Sequence, residues 1–181
     1  MKLYVARHGH TNYNELGLCN SDPKIDVHLI DAGIEQANNL ADRLKNSYIE
    51  QIFVSELRRT EQTASIVNQY HNAPVVVDAR LNDIRFGSRF EGRHYSEYRA
   101  ALEKTDNKFT ARIDGCESII DVRARTQEFL DDISAEDYKS VLVVTSGGVM
   151  QAMYAIIENL SIEEAWSFRP DNGTCVELEL N

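Results

Sequence analysis

The sequence predicts an α/β fold, a three-layer sandwich with a mostly parallel sheet and helices on both of its faces. Two observations favour this class. Short apolar segments alternate along the chain with amphipathic segments of helical periodicity, which is typical of strands joined by helices. The chain also has 181 residues, enough for one well-buried domain. We therefore expect a single domain over residues 1–181.

The elements follow one another in a regular order. Strands are expected at 2–6, 49–55, 74–77, 140–145 and 174–180, the last of them at or near a sheet edge. Helices are expected at 32–46, 57–70, 95–104, 118–134 and 149–158, with a short one after Ser161. Thr11 and Asp31 are candidate helix N-caps, and residues 78–92 are expected to form a long loop.

Composition excludes several classes of protein. The net charge is -10, so we expect neither nucleic acid nor an anionic membrane surface as a partner. No apolar run reaches the roughly 18 residues of a transmembrane helix. The cysteines, Cys19, Cys116 and Cys175, are far apart and lack the spacing of metal ligands, which favours free thiols in the cytoplasm. Nothing in the sequence indicates an oligomeric state.

The first strand ends in a group of residues that suits phosphate chemistry. Arg7 and His8 follow the apolar residues 3–6, and Gly9 is expected to let the backbone turn sharply and approach a ligand. A guanidinium can hold two phosphate oxygens, and a neutral imidazole can attack phosphorus. Two adjacent arginines, Arg58 and Arg59, lie at the start of the helix that is expected after the second strand. Cations are unfavourable at a helix N-terminus unless an anion lies beside them.

Four segments, in this order, resemble motifs of the histidine phosphatase superfamily, the phosphoglycerate-mutase-like enzymes. They are Arg7-His8-Gly9, the Ser-x-Leu-x-Arg-x-x-Gln-Thr-Ala pattern at 55–64, the run around Asp83-Ile84-Arg85-Phe86-Gly87, and Ser146-Gly147-Gly148. The second pattern aligns Arg59, not Arg58, with the family's second phosphate-binding arginine. The matches extend from Arg7 to about Gly148, nearly the whole chain, and imply the family's fold.

The resemblance implies a role for each matched residue. His8 would attack phosphorus and become phosphorylated, while Arg7 and Arg59 hold the phosphoryl oxygens. Asp83 falls where the family places the acid that protonates the leaving group, with Glu91 as the second candidate for this acid. Asn14 and Gly147 would add contacts to the phosphoryl group, Asn172 is a further candidate, and Glu117 could orient an arginine near the site.

Ser146 stands where the family has its second pocket histidine. A serine keeps a hydroxyl donor but loses the positive charge and the reach of an imidazole. Losing one donor to the transition state typically costs on the order of 10²–10³ in rate. The sequence therefore predicts slowed turnover unless another cation compensates, and the candidates near the motifs are His10, Arg85, Arg89, Arg93 and His94.

The reaction that the resemblance implies is hydrolysis of a phosphomonoester without a metal or cofactor. The substrate would be a phosphorylated small molecule or a phosphoprotein, chosen by a locally basic lid at residues 85–114. Three alternatives stay open. The chain could be a phospho-ligand binder with impaired catalysis, it could be a mutase, or it could hold a metal between His8, His10 and acids such as Asp22 or Asp26, although those residues lack a recognisable ligand spacing.

Overall fold

The computed structural model describes residues 1–180 of the chain. Within them one sheet contains five strands, which are β1 (Lys2–Arg7), β2 (Gln51–Val54), β3 (Val75–Val77), β4 (Ser140–Thr145) and β5 (Cys175–Glu179). The helices are α1 (Asn12–Leu16), α2 (Asp31–Leu44), α3 (Arg58–Asn68), α4 (Gly87–Phe90), α5 (Tyr95–Leu102), α6 (Ile119–Ser134), α7 (Gly147–Ile157) and α8 (Ile162–Ala165). None of these helices combines the length and apolarity needed to cross a lipid bilayer.

The sheet is mostly parallel, as the alternation of elements predicts. Its strand order is β3-β2-β4-β1-β5, and β3, β2, β4 and β1 run parallel to one another. β5 pairs antiparallel with β1 at one edge, which confirms its expected position. β4 lies in the middle and is buried along its whole length, because both of its edges are paired and both of its faces are covered.

Helices cover both faces, so the predicted three layers are present. Successive side chains of a strand point to opposite faces. In β1, Leu3 and Val5 join a core cluster formed with residues of α6 and α7. Tyr4 and Ala6 join a second cluster formed with residues of α2 and α3. The strand that carries the Arg-His-Gly motif is therefore held from both sides.

Two local predictions are wrong. Ile30, not Asp31, is the N-cap of α2, and its side chain makes no capping hydrogen bond. Asp31 lies in the first turn of the helix, where its negative charge interacts favourably with the helix dipole. Residues 78–92 are also not simply a loop, since a 3₁₀ helix at Ala79–Leu81 and α4 lie within them. Thr11 is the N-cap of α1, as predicted, and forms a capping box with Asn14.

The segment predicted as a lid, residues 85–114, has a small core of its own. Its buried residues Phe86, Phe90, Tyr98 and Leu102 form a third cluster together with Cys19 and Cys116, which lie outside the segment. Backbone hydrogen bonds of 2.8 Å tie it to the segment after α1, from the Cys19 amide to the Arg93 carbonyl and from the Tyr95 amide to the Gly17 carbonyl. The segment is thus packed against the chain that follows α1, while its role as a lid stays a prediction.

Candidate active site

The carboxyl ends of β1 and β4 lie side by side and bring two of the motifs together. Arg7 pairs with Thr145 at the ends of the two strands, and the His8 amide donates to the Thr145 carbonyl at 3.0 Å. His8 therefore follows one strand directly, while Gly147 opens α7 after the other. Ligands of parallel α/β sheets bind at this edge.

Gly9 makes a close backbone approach, but to a different partner from the one predicted. A Cβ at Gly9 would lie only 2.3 Å from the carbonyl oxygen of Gly33, in the first turn of α2. The residue thus allows the loop after β1 to pack against α2, and the expected approach to a ligand is not what requires glycine here. Gly33 is needed for the same contact, since its own Cβ would lie 2.0 Å from the His10 carbonyl.

Two hydrogen bonds define the state of the His8 imidazole. Nδ1 lies 2.8 Å from the Gly9 carbonyl oxygen, which can only accept, so Nδ1 carries the proton. The Arg59 Nε donates to Nε2 at 3.1 Å. Nε2 therefore has a lone pair, aimed toward the guanidinium. Burial lowers the pKa of His8 well below its usual range, and the positive charges of Arg59 and Arg7 lower it further. The ring is neutral near pH 7, as a nucleophile must be.

This buried, neutral imidazole makes stability depend on pH. Below about pH 6.5 the unfolded chain binds a proton at His8 and the folded chain does not, so acid favours unfolding. We expect the free energy of unfolding to fall more steeply between about pH 7 and pH 5 in the native chain than in His8→Asn, by up to about 1.4 kcal/mol per pH unit. Urea unfolding at several pH values measures this, and parallel curves would contradict it.

Arg59 lies in the site, whereas Arg58 does not. The Arg59 side chain is buried; its Nη1 donates to Asn20 Oδ1 at 2.6 Å and its Nη2 to the Asn20 carbonyl at 3.0 Å. Arg58 is exposed and pairs with Asp26 at 2.5 Å. The structure thus brings to His8 the arginine that the motif alignment selects. Burial lowers the pKa of Arg59, while Asp83 and Glu91 oppose the shift.

Arg7 reaches the same site from the end of β1. Its Nη1 donates to the Pro170 carbonyl at 2.8 Å, and its Nε is buried without a partner within residues 1–180. A Cβ at Gly147 would lie 3.3 Å from this Nε, so a side chain at that position would press on the guanidinium. An unpaired buried donor is costly unless a ligand uses it. Arg7 therefore has a free donor for an anion.

A cavity of about 460 Å³ opens over these groups. The predicted residues that line it are Arg7, His8, Asn14, Arg59, Asp83 and Gly147. Ser146 is the exception. It is buried at the N-cap of α7, its hydroxyl has no partner within residues 1–180, and it does not contribute to the cavity wall. The five cations proposed to compensate for the serine, His10, Arg85, Arg89, Arg93 and His94, do not line the cavity either.

Asp83 and Glu91, the two candidate acids, have different surroundings. Asp83 lines the cavity; its Oδ1 accepts from the Ile84 amide at 2.9 Å, and its Oδ2 lies 3.5 Å from Arg59 Nη2. Glu91 lies outside the cavity wall and holds a neighbouring segment, accepting from the Ser21 amide at 2.9 Å and the Ser21 hydroxyl at 2.7 Å. Glu91 also accepts from Asn20 Nδ2 at 2.9 Å, and Asn20 in turn accepts from Arg59, so Glu91 supports the residue that holds Arg59.

A largely buried ion pair supports the segment that carries Asp83. Arg125 of α6 donates from Nε to Glu117 Oε1 at 2.7 Å and also to two backbone carbonyls, those of Arg80 and, at 3.3 Å, Asp83. Glu117 also accepts from the Arg85 amide at 3.2 Å. Glu117 orients an arginine near the site, as the sequence suggests, and this arginine fixes the backbone of Asp83.

Loss of the ion pair between Arg125 and Glu117 should slow the hydrolysis of phosphate esters unequally. Esters whose leaving group needs a proton should be slowed more than esters whose leaving group does not. In Arg125→Met we expect turnover of an alkyl phosphate to fall at least about tenfold more than turnover of p-nitrophenyl phosphate, whose leaving group departs without a proton. Steady-state kinetics on both esters measure this. Arg123→Met on the same helix is the matched control, since within residues 1–180 Arg123 makes no ion pair. An equal fall on both esters would show general loss of structure instead.

Sequence reasoning missed several residues of the cavity wall. The additional groups are Asn20, which binds Arg59, and the residues Arg99, Trp166, Phe168 and Arg169. Trp166 to Arg169 precede the last strand in an aromatic and basic run that could have been noticed. Asn14 and Asn172 lie together near the cavity, but Asn14 Oδ1 already accepts from the Thr11 amide and from Asn172, both at 3.2 Å. Within residues 1–180 no group of three or more possible metal ligands is present.

Comparison with known proteins agrees with this geometry. A model of the histidine phosphatase superfamily (branch 1) matches residues 3–181. The adenosylcobalamin/alpha-ribazole phosphatase of Escherichia coli is 28% identical over 100% of this chain and 91% of its own length. Phosphoserine phosphatase 1 of Hydrogenobacter thermophilus is 28% identical over 96% of this chain and 84% of its own.

A solved structure gives the same result for the fold. The alpha-ribazole phosphatase of Shigella flexneri superposes with a TM-score of 0.84 and 28% identity, over 100% of this chain and 91% of that protein. The relatives are named as phosphatases, which confirms the predicted class of enzyme, a phosphoric monoester hydrolase. The chain belongs to branch 1 of the histidine phosphatase superfamily.

Proposed function

We propose that the chain hydrolyses a phosphomonoester in two steps through a phosphohistidine at His8. The observation that carries this proposal is the neutral imidazole whose Nε2 lone pair faces the Arg59 guanidinium at the cavity wall. Arg7 and Arg59 together supply two positive charges for a phosphoryl group. The amide end of α7, at Gly147, adds the positive end of a helix dipole.

In the first step the phosphoryl oxygens replace His8 as the acceptor for Arg59, which frees Nε2. Nε2 forms a bond to phosphorus while the bond from phosphorus to the leaving oxygen breaks. The electron pair of that bond stays on the oxygen, which takes a proton from the carboxyl of Asp83. The proximity of Asp83 to both Arg59 and α7 supports this assignment, since a Cβ at Gly148 would lie 3.8 Å from its Oδ1.

In the second step water attacks the phosphohistidine. Its proton passes to the Asp83 carboxylate, the bond from Nε2 to phosphorus breaks, and inorganic phosphate leaves. Asp83 is thus acid in one step and base in the other. Arg7 and Arg59 hold the three peripheral oxygens throughout, and their charges stand in for the cation that other phosphoryl transfer enzymes take from a metal.

The substrate that we propose is a phosphorylated small molecule, acted on in the cytoplasm. A cavity of about 460 Å³ is within the range typical of small-molecule sites, which favours a metabolite over a phosphoprotein. Burial raises the pKa of the Cys19 thiol to about 12 and likewise raises the pKa of Cys116. Such unreactive free thiols are ordinary in a reducing compartment.

One observation favours a second candidate function, a phospho-ligand binder with little turnover. Ser146 does not line the cavity, so no side chain there replaces the donor that the family's second histidine provides. Binding through Arg7 and Arg59 would survive this loss, whereas transition-state stabilisation would not.

A quench experiment separates the two candidates. The native chain is mixed with p-nitrophenyl phosphate in the presence of EDTA, quenched with denaturant, digested and analysed by mass spectrometry. We expect an acid-labile, base-stable phosphate on the peptide that contains His8, and p-nitrophenol release that continues in EDTA. Ester binding by calorimetry without phosphopeptide or release would support the binder. Activity that EDTA abolishes would contradict the proposed mechanism.

A further inference from the structure

Four arginines line the cavity, and only two of them belong to the phosphoryl site. Arg7 and Arg59 lie beside His8, as described above. Arg99, on α5, and Arg169, in the segment before β5, line the cavity as well and are exposed to solvent. Neither of these two forms an ion pair within residues 1–180. They constitute an outer cation pair that phosphoryl binding does not use.

The wall of the cavity is positively charged although the chain is acidic. Its four arginines face two acids, Asp83 and Asp171, whereas the whole chain has a net charge of -10. The other arginines and lysines of residues 85–114 do not line the cavity, and some pair with acids elsewhere, as Arg89 does with Asp114. The excess of positive charge is therefore local to the cavity, as expected of a site for a highly charged anion.

The two outer arginines reach the same cavity from different segments. Arg99 comes from α5 and Arg169 from the segment before β5, and the Tyr95 side chain lines this cavity as well. The Arg169 guanidinium also stacks on Trp166, with Cζ 4.2 Å from the ring centroid. Stacking restrains the arginine and leaves its N–H groups, which lie in the plane of the guanidinium, free to donate.

A hydrogen bond links the phosphoryl site to the segment that carries Arg169. Arg7, which we assign to the phosphoryl group, donates to the carbonyl of Pro170, the residue after Arg169. The backbone of the segment that bears the outer arginine is thus held by the inner arginine. One molecule that reaches both sites would use all four positive charges.

We propose that Arg99 and Arg169 bind a second anionic group, a carboxylate or a phosphate, on the leaving group of the substrate. This proposal rests on the proposed function, since it assumes that the phosphoryl group to be hydrolysed occupies Arg7 and Arg59. It narrows the substrate class to small phosphomonoesters that carry a further negative charge. Tyr95 and Trp166 would enclose the part of the substrate between the two anionic groups.

Matched substrates test the outer pair. Phosphoserine and phosphoethanolamine differ by one carboxylate, and propanediol bisphosphate and propanediol monophosphate differ by one phosphate. We expect kcat/KM of the native chain to be higher for one of the doubly anionic members by at least about tenfold, the value of one charge-assisted contact. Which pair shows the preference identifies the anionic group as carboxylate or phosphate.

Substitutions of the two outer arginines test whether these residues cause the preference for a doubly anionic substrate. In Arg99→Gln and Arg169→Gln we expect the ratio of kcat/KM within the preferred pair to fall by about fivefold to tenfold each, through KM, while the singly anionic ester is turned over as before. Arg93→Gln is the matched control, because Arg93 is exposed on the same segment as Arg99 but does not line the cavity. No preference in the native chain, or an equal loss on both members of a pair, would overturn the proposal.

Binding measurements test the outer pair independently of whether the chain hydrolyses phosphomonoesters. The same pairs are titrated by calorimetry into His8→Ala, in which turnover is expected to be too slow to disturb the binding measurement. A preference for the doubly anionic member that Arg99→Gln and Arg169→Gln remove would support the outer pair even if the native chain proves inactive. Turnover without such a preference would leave the proposed function standing and refute the outer pair.

Discussion

In His8→Ala, turnover of p-nitrophenyl phosphate is expected to fall by at least about 10⁴-fold, because the variant lacks the atom that forms the bond to phosphorus. Burst and steady-state kinetics measure the loss. The phosphopeptide seen after quenching should vanish with it. Affinity for inorganic phosphate should change much less, since Arg7 and Arg59 remain.

The neighbouring histidine provides the control for this loss. His10 lies two residues further along the chain, does not line the cavity, and interacts instead with Glu15 at 3.2 Å. We expect His10→Ala to keep activity within about threefold of the native chain. Comparable turnover in His8→Ala and the native chain would contradict the assignment of the nucleophile.

Ser146→His is expected to raise kcat by about a hundredfold, the effect typical of one transition-state donor. The imidazole would start from the N-cap of α7, beside Gly147, and extend toward the cavity that serine does not reach. Near pH 7 a charged form would add to the field of Arg7 and Arg59. Kinetics on p-nitrophenyl phosphate give the gain, which should appear in kcat more than in KM.

Ser146→Ala separates this gain from a change of packing. It removes the hydroxyl without adding a donor, so it should show no rise in kcat. A similar rise in kcat in Ser146→Ala and Ser146→His would mean that the serine hydroxyl itself slows turnover. The rise would then not come from an added imidazole donor. No gain in Ser146→His, in a variant that folds normally, would show that the site does not need a second imidazole.

The parts of the site that the sequence predicts well are those set by local chain geometry. His8 follows β1 directly and Gly147 follows β4 after one residue, so the strand ends determine where they lie. Arg59 lies in the first turn of α3, the helix that follows β2, so a strand end also determines where it lies. The prediction that two guanidinium groups flank one imidazole therefore needed only the order of strands and helices, together with the motif that selects Arg59 over Arg58.

The parts that it predicts poorly depend on side-chain direction and on distant packing. Glu91 is close to Asp83 in sequence, yet it turns toward Ser21 because α4 intervenes. Arg169 and Trp166 belong to a segment without strong periodicity, and the contact from Arg7 to Pro170 that draws this segment to the site joins residues 163 apart in sequence. Such long-range contacts leave no local pattern in the chain.

The hydrogen bond from Arg59 to Nε2 of His8 has a consequence for chemoselectivity. In the resting protein the lone pair that attacks phosphorus in the proposed mechanism already accepts a hydrogen bond from Arg59, so an electrophile that offers Arg59 no other acceptor meets an engaged imidazole. In that mechanism the anionic oxygens of a phosphate ester take over the Arg59 donor and release the lone pair. The reactive form of the imidazole would thus be produced by the substrate itself.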